Sequence, residues 1–437
     1  MMKDRDKFSS KFAFIISSIG ASIGLGILWM FPFKLCKYGG AAFLIPYFIF
    51  TILLGAVGLV IEFTFGRTFK SGSLGGIRKV FKEKGVKGGS IVGSIPAIGM
   101  SLVFSFYTVI IGWIFKYLYI SITGEIVKID PATYFSNFSN SNEETAFAVF
   151  ALILTGAIIS LGVTKGIEKL NKIAIPMMFV IFLLIVIRSV TLPGAIEGIK
   201  YICIPRWENL LHIETWIMAM GLAFFTASLS GSVMVVYGSY TDKNTDIPKS
   251  TATVVFFNTL GAILAAFAII PAVFAFGIDP CAGPALLFVS LPAIFSSMPF
   301  GAVISTVFFI SVICAAISTG LSMMEVLVEA LTSITNLDRK KATLAVSLIA
   351  LCIMLPLSIN MNIFEAVVDF STIVLSPLSA LIVAVVFFWR FKKDSSLKEI
   401  NLGSKYPLNK TFLVLGKFIF IPLTFLVVVF GIILGGI

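Results

Sequence analysis

Eleven predominantly apolar runs, each long enough to cross a bilayer, leave this chain little choice of fold. They lie near 12–35, 40–66, 94–122, 145–163, 172–192, 214–239, 251–277, 300–334, 341–358, 366–390 and 411–435. A bilayer core needs about 20 apolar residues per helix. Composition agrees: 58% of residues are hydrophobic and 13% charged, with mean hydropathy +1.03, whereas soluble domains are about half apolar and a quarter charged. The expected fold class is an all-α polytopic membrane protein. No hydrophilic stretch suffices for a soluble domain, so residues 1–437 are expected to form one transmembrane domain. The first run is too long, and lacks the small-residue cleavage site, to be a signal peptide.

The net charge of +11 would suggest nucleic acid in a soluble protein. Here composition excludes nucleic acid as a partner, and the placement of the charges points to a lipid bilayer. Basic residues crowd the segment from Arg67 to Lys87 and recur at Lys3, Arg5, Lys7 and Lys11, at Lys165, Lys169 and Lys172, at Lys243 and Lys249, at Arg339 to Lys341, and at Arg390 to Lys393. All fall on one side if the spans alternate from a cytoplasmic N-terminus. The opposite loops include the acidic stretch SNFSNSNEET (136–145). This positive-inside pattern puts the N-terminus inside and, after eleven spans, the C-terminus outside.

Enzymatic chemistry has little to work with. Five cysteines lack metal-ligand or CxxC spacing. Cys203 and Cys281 fall in outside loops, where a disulfide between them is one alternative. The single His212, beside Glu214 in an outside loop, is expected to be solvated and not catalytic, and no Ser/Lys or Ser/His dyad has helical spacing. Lys116 and Arg188, near outer ends of spans, are expected to snorkel. Glu325 lies deeper and reads equally as a proton site or a packing acid.

Two spans are weakened where a helix should be most regular. Residues 19–33, IGASIGLGILWMFPF, place Gly20, Gly24, Gly26 and Pro32 within the first. The sixth, GLAFFTASLSGSVMVVYGSY (221–240), has a small, polar centre from Ser228 to Ser232. Glycine costs about 1 kcal/mol relative to alanine inside a helix, and serine competes for backbone bonds. These spans open two successive sets of five, 12–192 and 214–390, with 411–435 as an eleventh helix. Interrupted segments at matching positions of two halves point to a midplane site in an inverted-repeat transporter, because irregular backbone at that depth is tolerated where it lines a cavity. Close helix packing is the alternative use of small residues. Glu62, deep in the second span, is expected to accept bonds from backbone N–H groups freed by a broken neighbour. Ser318 and Thr319, with unwound carbonyls, offer hard neutral oxygens suited to Na+, and Tyr107 and Asn258 add polar groups on spans three and seven.

SSIGASIGLGILWMFPFKLCKYGGAAFLIPYF (17–48), VIEFTFGR (60–67), FFTASLSGSVMVVYGSY (224–240), NTLGAILAAFAIIPAVFAFG (258–277) and LPAIFSSMP (291–299) together resemble the neurotransmitter:sodium symporter family, over essentially the whole chain. The resemblance is to its bacterial eleven-helix amino-acid branch, near the tyrosine transporters. It implies the LeuT-type 5+5 inverted repeat with broken first and sixth helices, which the general account of such transporters itself uses as its example. It also implies residence in the bacterial inner (cytoplasmic) membrane as a monomer or homodimer.

Roles follow from the resemblance position by position. It implies a substrate carboxylate on the amides of Leu25 and Gly26 and the Tyr107 hydroxyl. Gly24 stands where amine-carrying members have Asp, which implies an amino-acid substrate. A side-chain pocket of Val103, Tyr107, Phe225, Ser228, Gly231, Thr319, Ser322 and Met323 is implied, with Gly231 leaving room for a larger apolar group. The second sodium site would comprise Gly20, Ile23 and Ala315 carbonyls with Ser318 and Thr319 hydroxyls. The first would retain Ser22, Thr226 and Asn258, but Ile27 replaces an Asn ligand, which implies one coupled Na+ instead of two. Phe225 matches a lid and Asp369 half of an outer gate whose Arg is replaced by Met30. Arg5 and Tyr240 match an inner gate whose acid appears as Ser333, with Asp338 or Glu329 as substitutes. Gly20, Gly24 and Gly26 are expected to let the backbone turn away from helix geometry. The implied activity is sodium-coupled uptake of a neutral, hydrophobic or aromatic amino acid by alternating access. A sodium-independent exchanger or uniporter, and a non-transporting sensor of the same fold, are the alternatives.

Overall fold

The computed structural model describes residues 6–24, 26–139, 141–277, 286–390 and 393–434. Most residues of the apolar runs are helical, with breaks inside the first and the sixth. In chain order the main helices are α1 (Lys11–Ser22), α2 (Gly26–Lys37), α3 (Ala41–Phe69), α4 (Gly89–Ile122), α5 (Asn142–Ser160), α6 (Val163–Val190), α7 (Ile213–Thr226), α8 (Val233–Ser239), α9 (Ile247–Ala275), α10 (Gly301–Ile334), α11 (Arg339–Ile359), α12 (Met361–Arg390) and α13 (Lys410–Leu434). Nine of them are long and apolar enough to cross a membrane, and α1 with α2 passes as a tenth span bent by 61°. The run at 214–239 is instead divided: α7 and α8 are separated by residues 227–232, and neither piece would cross alone.

Boundaries differ from the apolar runs where caps or polar turns extend a helix. α6 begins at Val163, ahead of the run at 172, because the polar turn VTKGIEKLN is helical too. α9 starts at Ile247, where the Asp246 side chain accepts the Lys249 N–H and Pro248 takes a first-turn position, a site where its missing N–H costs nothing. Ser141 caps α5 in the same way through the Glu144 N–H.

The scaffold is built around α4 and α10, which pack along each other. α1 is enclosed by α6, α9 and α10, while α8 lies against α3. α4 is deeply enclosed, with 78% of its most apolar stretch buried, against 22% for α13 at the periphery. Small residues permit the tightest crossing. A Cβ on Gly66 of α3 would stand 1.8 Å from the Val235 carbonyl oxygen, and one on Gly238 of α8 would stand 2.3 Å from the Phe63 oxygen. The two backbones are thus in direct contact, as apolar solvents favour when small residues face one another.

That contact predicts an asymmetry. Gly66→Ala is expected to destabilise by about 1–3 kcal/mol, the usual cost of overpacking. Gly99→Ala, whose nearest neighbour would be Leu375 Cβ at 3.2 Å, is expected to cost far less. Thermal unfolding of both variants in detergent checks the order; equal loss would show that the α3–α8 contact yields easily.

Candidate binding site at the helix breaks

Helical bonding in α1 stops at Ile23, whose backbone (φ −82°, ψ 75°) has left helix geometry while its N–H still reaches the Ile19 carbonyl. The chain then folds on itself: Gly24 N–H donates to the Ser22 oxygen at 2.9 Å and Ile27 N–H to the Gly24 oxygen at 3.1 Å. The backbone does leave helix geometry at residues 23–24, though not through left-handed glycines. None of Gly20, Gly24 and Gly26 adopts a left-handed backbone. Their contribution is space: added Cβ atoms would lie 2.1 Å from Ser318 Oγ, 3.0 Å from Thr319 Oγ1 and 2.0 Å from the Phe225 ring, respectively.

The second break is left-handed at two residues, Ser228 (φ 53°) and Gly231 (φ 59°). Its freed polar groups find side-chain partners. Glu62 Oε1 accepts the Gly231 N–H at 2.9 Å, and Ser73 Oγ donates to the Gly231 carbonyl. Ser232 Oγ donates to the Pro96 carbonyl of α4 at 3.2 Å. Ser228 Oγ donates to the Ala21 carbonyl at 3.2 Å, which ties one break to the other.

Between the breaks lies a cavity of about 130 Å³, and no charged side chain lines it among the described residues. Its wall brings together Ser22, Gly26, Val103, Tyr107, Phe225, Thr226, Ser228, Thr319 and Met323 from the sequence-predicted set. Ile27, Met30, Met100, Phe106, Leu229, Ser230, Thr372, Ser376 and Val427 also line it; Met100, Phe106, Thr372, Ser376 and Val427 escaped the sequence reading. Two expected members stand behind the wall. Ser322 is fully buried, with its hydroxyl bonded to Tyr237 at 2.7 Å and to the Ser318 carbonyl at 2.9 Å. Gly231 faces α12: its absent Cβ would meet the Ser379 carbonyl oxygen at 2.3 Å, so it does not enlarge the cavity. Leu25 lies outside the described residues.

Two oxygen-rich clusters flank the cavity. In one, Thr319 Oγ1 donates to the Gly20 carbonyl at 3.1 Å, Ser318 Oγ donates to Asn171 Oδ1 at 2.6 Å, and Ile23 and Ala315 are fully buried beside them. In the other, Asn258 Nδ2 donates to the Thr226 carbonyl, Thr226 Oγ1 pairs with the Tyr47 hydroxyl at 3.1 Å, and Asn258 Oδ1 is buried without a partner. Ile27 is 1% exposed on that side. No group of three or more His, Cys, Asp or Glu side chains assembles among the described residues. These clusters therefore offer neutral oxygens, the donors that suit a hard monovalent cation.

The face carrying the N-terminal segment is closed. Tyr240 donates to Glu325 Oε1 at 2.5 Å, and Arg339 binds both Glu325 carboxylate oxygens and Asp6 Oδ2, the latter at 2.7 Å. Phe8 stacks edge-on against Tyr237, with ring centroids 5.3 Å apart. Glu325 is thus an ion-paired acid, and the expected substitute Glu329 is engaged elsewhere, accepting the Gly72 N–H at 2.9 Å. Arg5 lies outside the described residues. Arg339 was legible only as one of a cluster of loop cations; its reach to Glu325 was not. Asp369 is exposed at the opposite end. There Phe225 remains 36% exposed, whereas Tyr237 and Tyr240 are 0% and 4%, so access is from the far side. Lys116 does not snorkel: its side chain is 8% exposed and pairs with Glu143 at 2.5 Å. Cys203 is exposed and free, while Cys281 lies outside the described residues.

A profile of the sodium:neurotransmitter symporter family matches residues 5–145 and 132–434. The chain is 35% identical over 413 residues to an uncharacterized sodium-dependent transporter, YhdH, of Bacillus subtilis (strain 168), covering 91% of each chain. It is 24% identical to the sodium- and chloride-dependent glycine transporter 1 of Xenopus laevis, over 98% of this chain and 78% of that one. Among solved structures, MhsT in complex with L-phenylalanine superposes with TM-score 0.88 at 32% identity, covering 98% of this chain and 99% of the other. These likenesses are to transporters, and they carry the fold and the class of activity. The chain is a multi-pass membrane transporter, not an enzyme, and belongs to the sodium:neurotransmitter symporter family.

Proposed function

We propose that this protein takes up a neutral amino acid with a hydrophobic or aromatic side chain, together with Na+, by alternating access in the bacterial cytoplasmic membrane. In this reading α1–α2 and α7–α8 are each one broken span, which makes eleven, with the N-terminus cytoplasmic. The observation that carries it is the uncharged cavity held between two helix breaks. The amide of Gly26, at the start of α2, would face a carboxylate favourably, since a helix N-terminus attracts anions. Tyr107 stands close by, its hydroxyl 3.2 Å from where a Gly24 Cβ would lie. A charged substrate side chain would meet no counter-charge in this wall.

Sodium enters this reading as a co-transported substrate. The Gly20, Ile23, Ala315, Ser318 and Thr319 cluster supplies only carbonyls and hydroxyls, which suit it. At Ser22, Thr226 and Asn258 the buried Asn258 Oδ1 is unbonded and available, but the Ile27 side chain offers no oxygen, which leaves the ligand set one short. One coupled ion follows. The likeness to MhsT bound to L-phenylalanine supports the substrate class.

Three outcomes test this. In proteoliposomes, labelled phenylalanine, tyrosine or leucine is expected to accumulate only down an inward Na+ gradient, with a Hill coefficient near one for Na+. Equal exchange in K+ alone would establish a sodium-independent exchanger, the reading that Ile27 favours as runner-up. Ile27→Asn is expected to steepen the Na+ dependence toward two ions and to make substrate affinity respond to Na+ more strongly; an unchanged curve means that the departure is silent. Finally, Arg339→Gln leaves Glu325 buried and unpaired, and breaking such a pair costs about 3–5 kcal/mol. It should open the N-terminal face, raising the labelling of a cysteine introduced beside Tyr237 and depressing uptake. Glu325→Gln in the same chain should recover part of both, and failure to recover would show that the pair does not hold that face shut.

A further inference from the structure

We infer that Asn171, on α6, is a positioning residue for the sodium site proposed above at Gly20, Ile23, Ala315, Ser318 and Thr319, and sets that site's affinity for the ion by holding the Ser318 hydroxyl proton. The inference rests on that site reading.

Helical hydroxyls in this protein commonly donate to the carbonyl four residues back, as Ser18 does to Phe14, Ser22 to Ser18, Thr108 to Phe104 and Ser322 to Ser318. Ser318 departs from that habit and donates across to Asn171 Oδ1 at 2.6 Å. A hydroxyl has one proton and two lone pairs. With its proton held on α6, Ser318 keeps its lone pairs for the α1 side, where its oxygen already lies 2.1 Å from the position of a Gly20 Cβ. A hydroxyl can bind a cation only through those lone pairs, so Ser318 is preset for the ion before it arrives. Thr319 is not: its proton sits on the Gly20 carbonyl, an oxygen the ion would claim, and has to turn away first.

The arrangement has a cost that a purely structural bond would avoid. Asn171 is fully buried and its Nδ2 has no partner, and a buried unbonded N–H destabilises the fold. Back-bonding of Ser318 to its own helix would need no amide at all. Partners outside the ligand set that orient the ligands typically change ion affinity by about 10–100-fold.

The test is Na+ titration of purified protein, read as the thermal stabilisation that Na+ confers and, separately, as 22Na+ binding. Asn171→Ala is expected to raise the half-effective Na+ concentration about 10-fold or more. Asn171→Asp keeps the acceptor and is expected to leave that concentration at or below the wild-type value. Should Asn171→Ala not fold, Asn171→Leu, close in shape to Asn, makes the same comparison. An unchanged titration in the Ala or Leu variant, or an Asp variant impaired as much as Ala, overturns the inference. Ser318→Ala separates it from the site reading: no shift in Ser318→Ala removes the site itself, whereas a shift there with none in Asn171→Ala removes only the role of Asn171. In a Ser318→Ala background, Asn171→Leu is expected to add nothing, and a second full shift would overturn the inference as well.

Discussion

The bond from the Gly231 N–H to the Glu62 carboxylate is what lets the sixth span be broken at all. In an apolar interior each unsatisfied backbone group costs several kcal/mol, and groups inside the break, the Gly231 N–H and carbonyl among them, have no helical bonds to satisfy them. Glu62 of α3 takes the Gly231 N–H, Ser73 donates to the Gly231 carbonyl, and Ser232 Oγ of the break itself donates to the Ser230 carbonyl. The acid is therefore fixed by the break, and the break by the acid. Replacing either one alone strands the other in apolar surroundings, where a lone polar group is expensive.

The same accounting explains how motion of α1 is tied to closure of the N-terminal face. The segment ahead of α1 is bonded to several elements: Ser9 to Glu168 on α6, Phe8 N–H to the Tyr240 carbonyl after α8, and Asp6 to Arg339 on α11. Thr164 adds a bond to the Lys7 carbonyl at 3.1 Å. α1 cannot swing without releasing these contacts together. Close packing makes such a choice discrete, since a packed interface is bistable and does not deform continuously.

The fold was largely legible because apolar run length reports span length directly. The breaks were legible because Gly20, Gly24, Gly26 and the 228–232 centre violate helix propensity in the sequence itself. What those residues do was less legible. Glycine signals both backbone freedom and close approach, and only the positions of Ser318, Thr319 and Phe225 decide for approach at α1. Gly231 illustrates the converse: it lies in the expected stretch, yet its left-handed backbone turns its missing side chain toward α12. The family resemblance implied Ser322 as a pocket residue, but its side chain bonds Tyr237. Arg339, Asp6 and Asn171 were hidden for one reason. Their partners are between 14 and 333 residues away, and no local pattern records which distant atom a side chain will reach.

If a single ion is coupled, as proposed, substrate and sodium would have to communicate by a particular route. An ion among Ser22, Thr226 and Asn258 would touch the substrate carboxylate and bind it by direct charge attraction. On that proposal Ile27 would remove that contact. What the two proposed sites would then share is the backbone around the first break, where the Gly20 and Ile23 carbonyls would serve the ion and the Gly26 amide the carboxylate. An ion that fixes the first part of this short segment fixes the second, because Gly24 N–H to Ser22 and Ile27 N–H to Gly24 lock the turn between them. Coupling is then a shared conformational cost: whichever ligand arrives first orders the break, and the other binds to an ordered site. By linkage the effect is mutual, so the substrate must strengthen sodium binding by the factor with which sodium strengthens binding of the substrate.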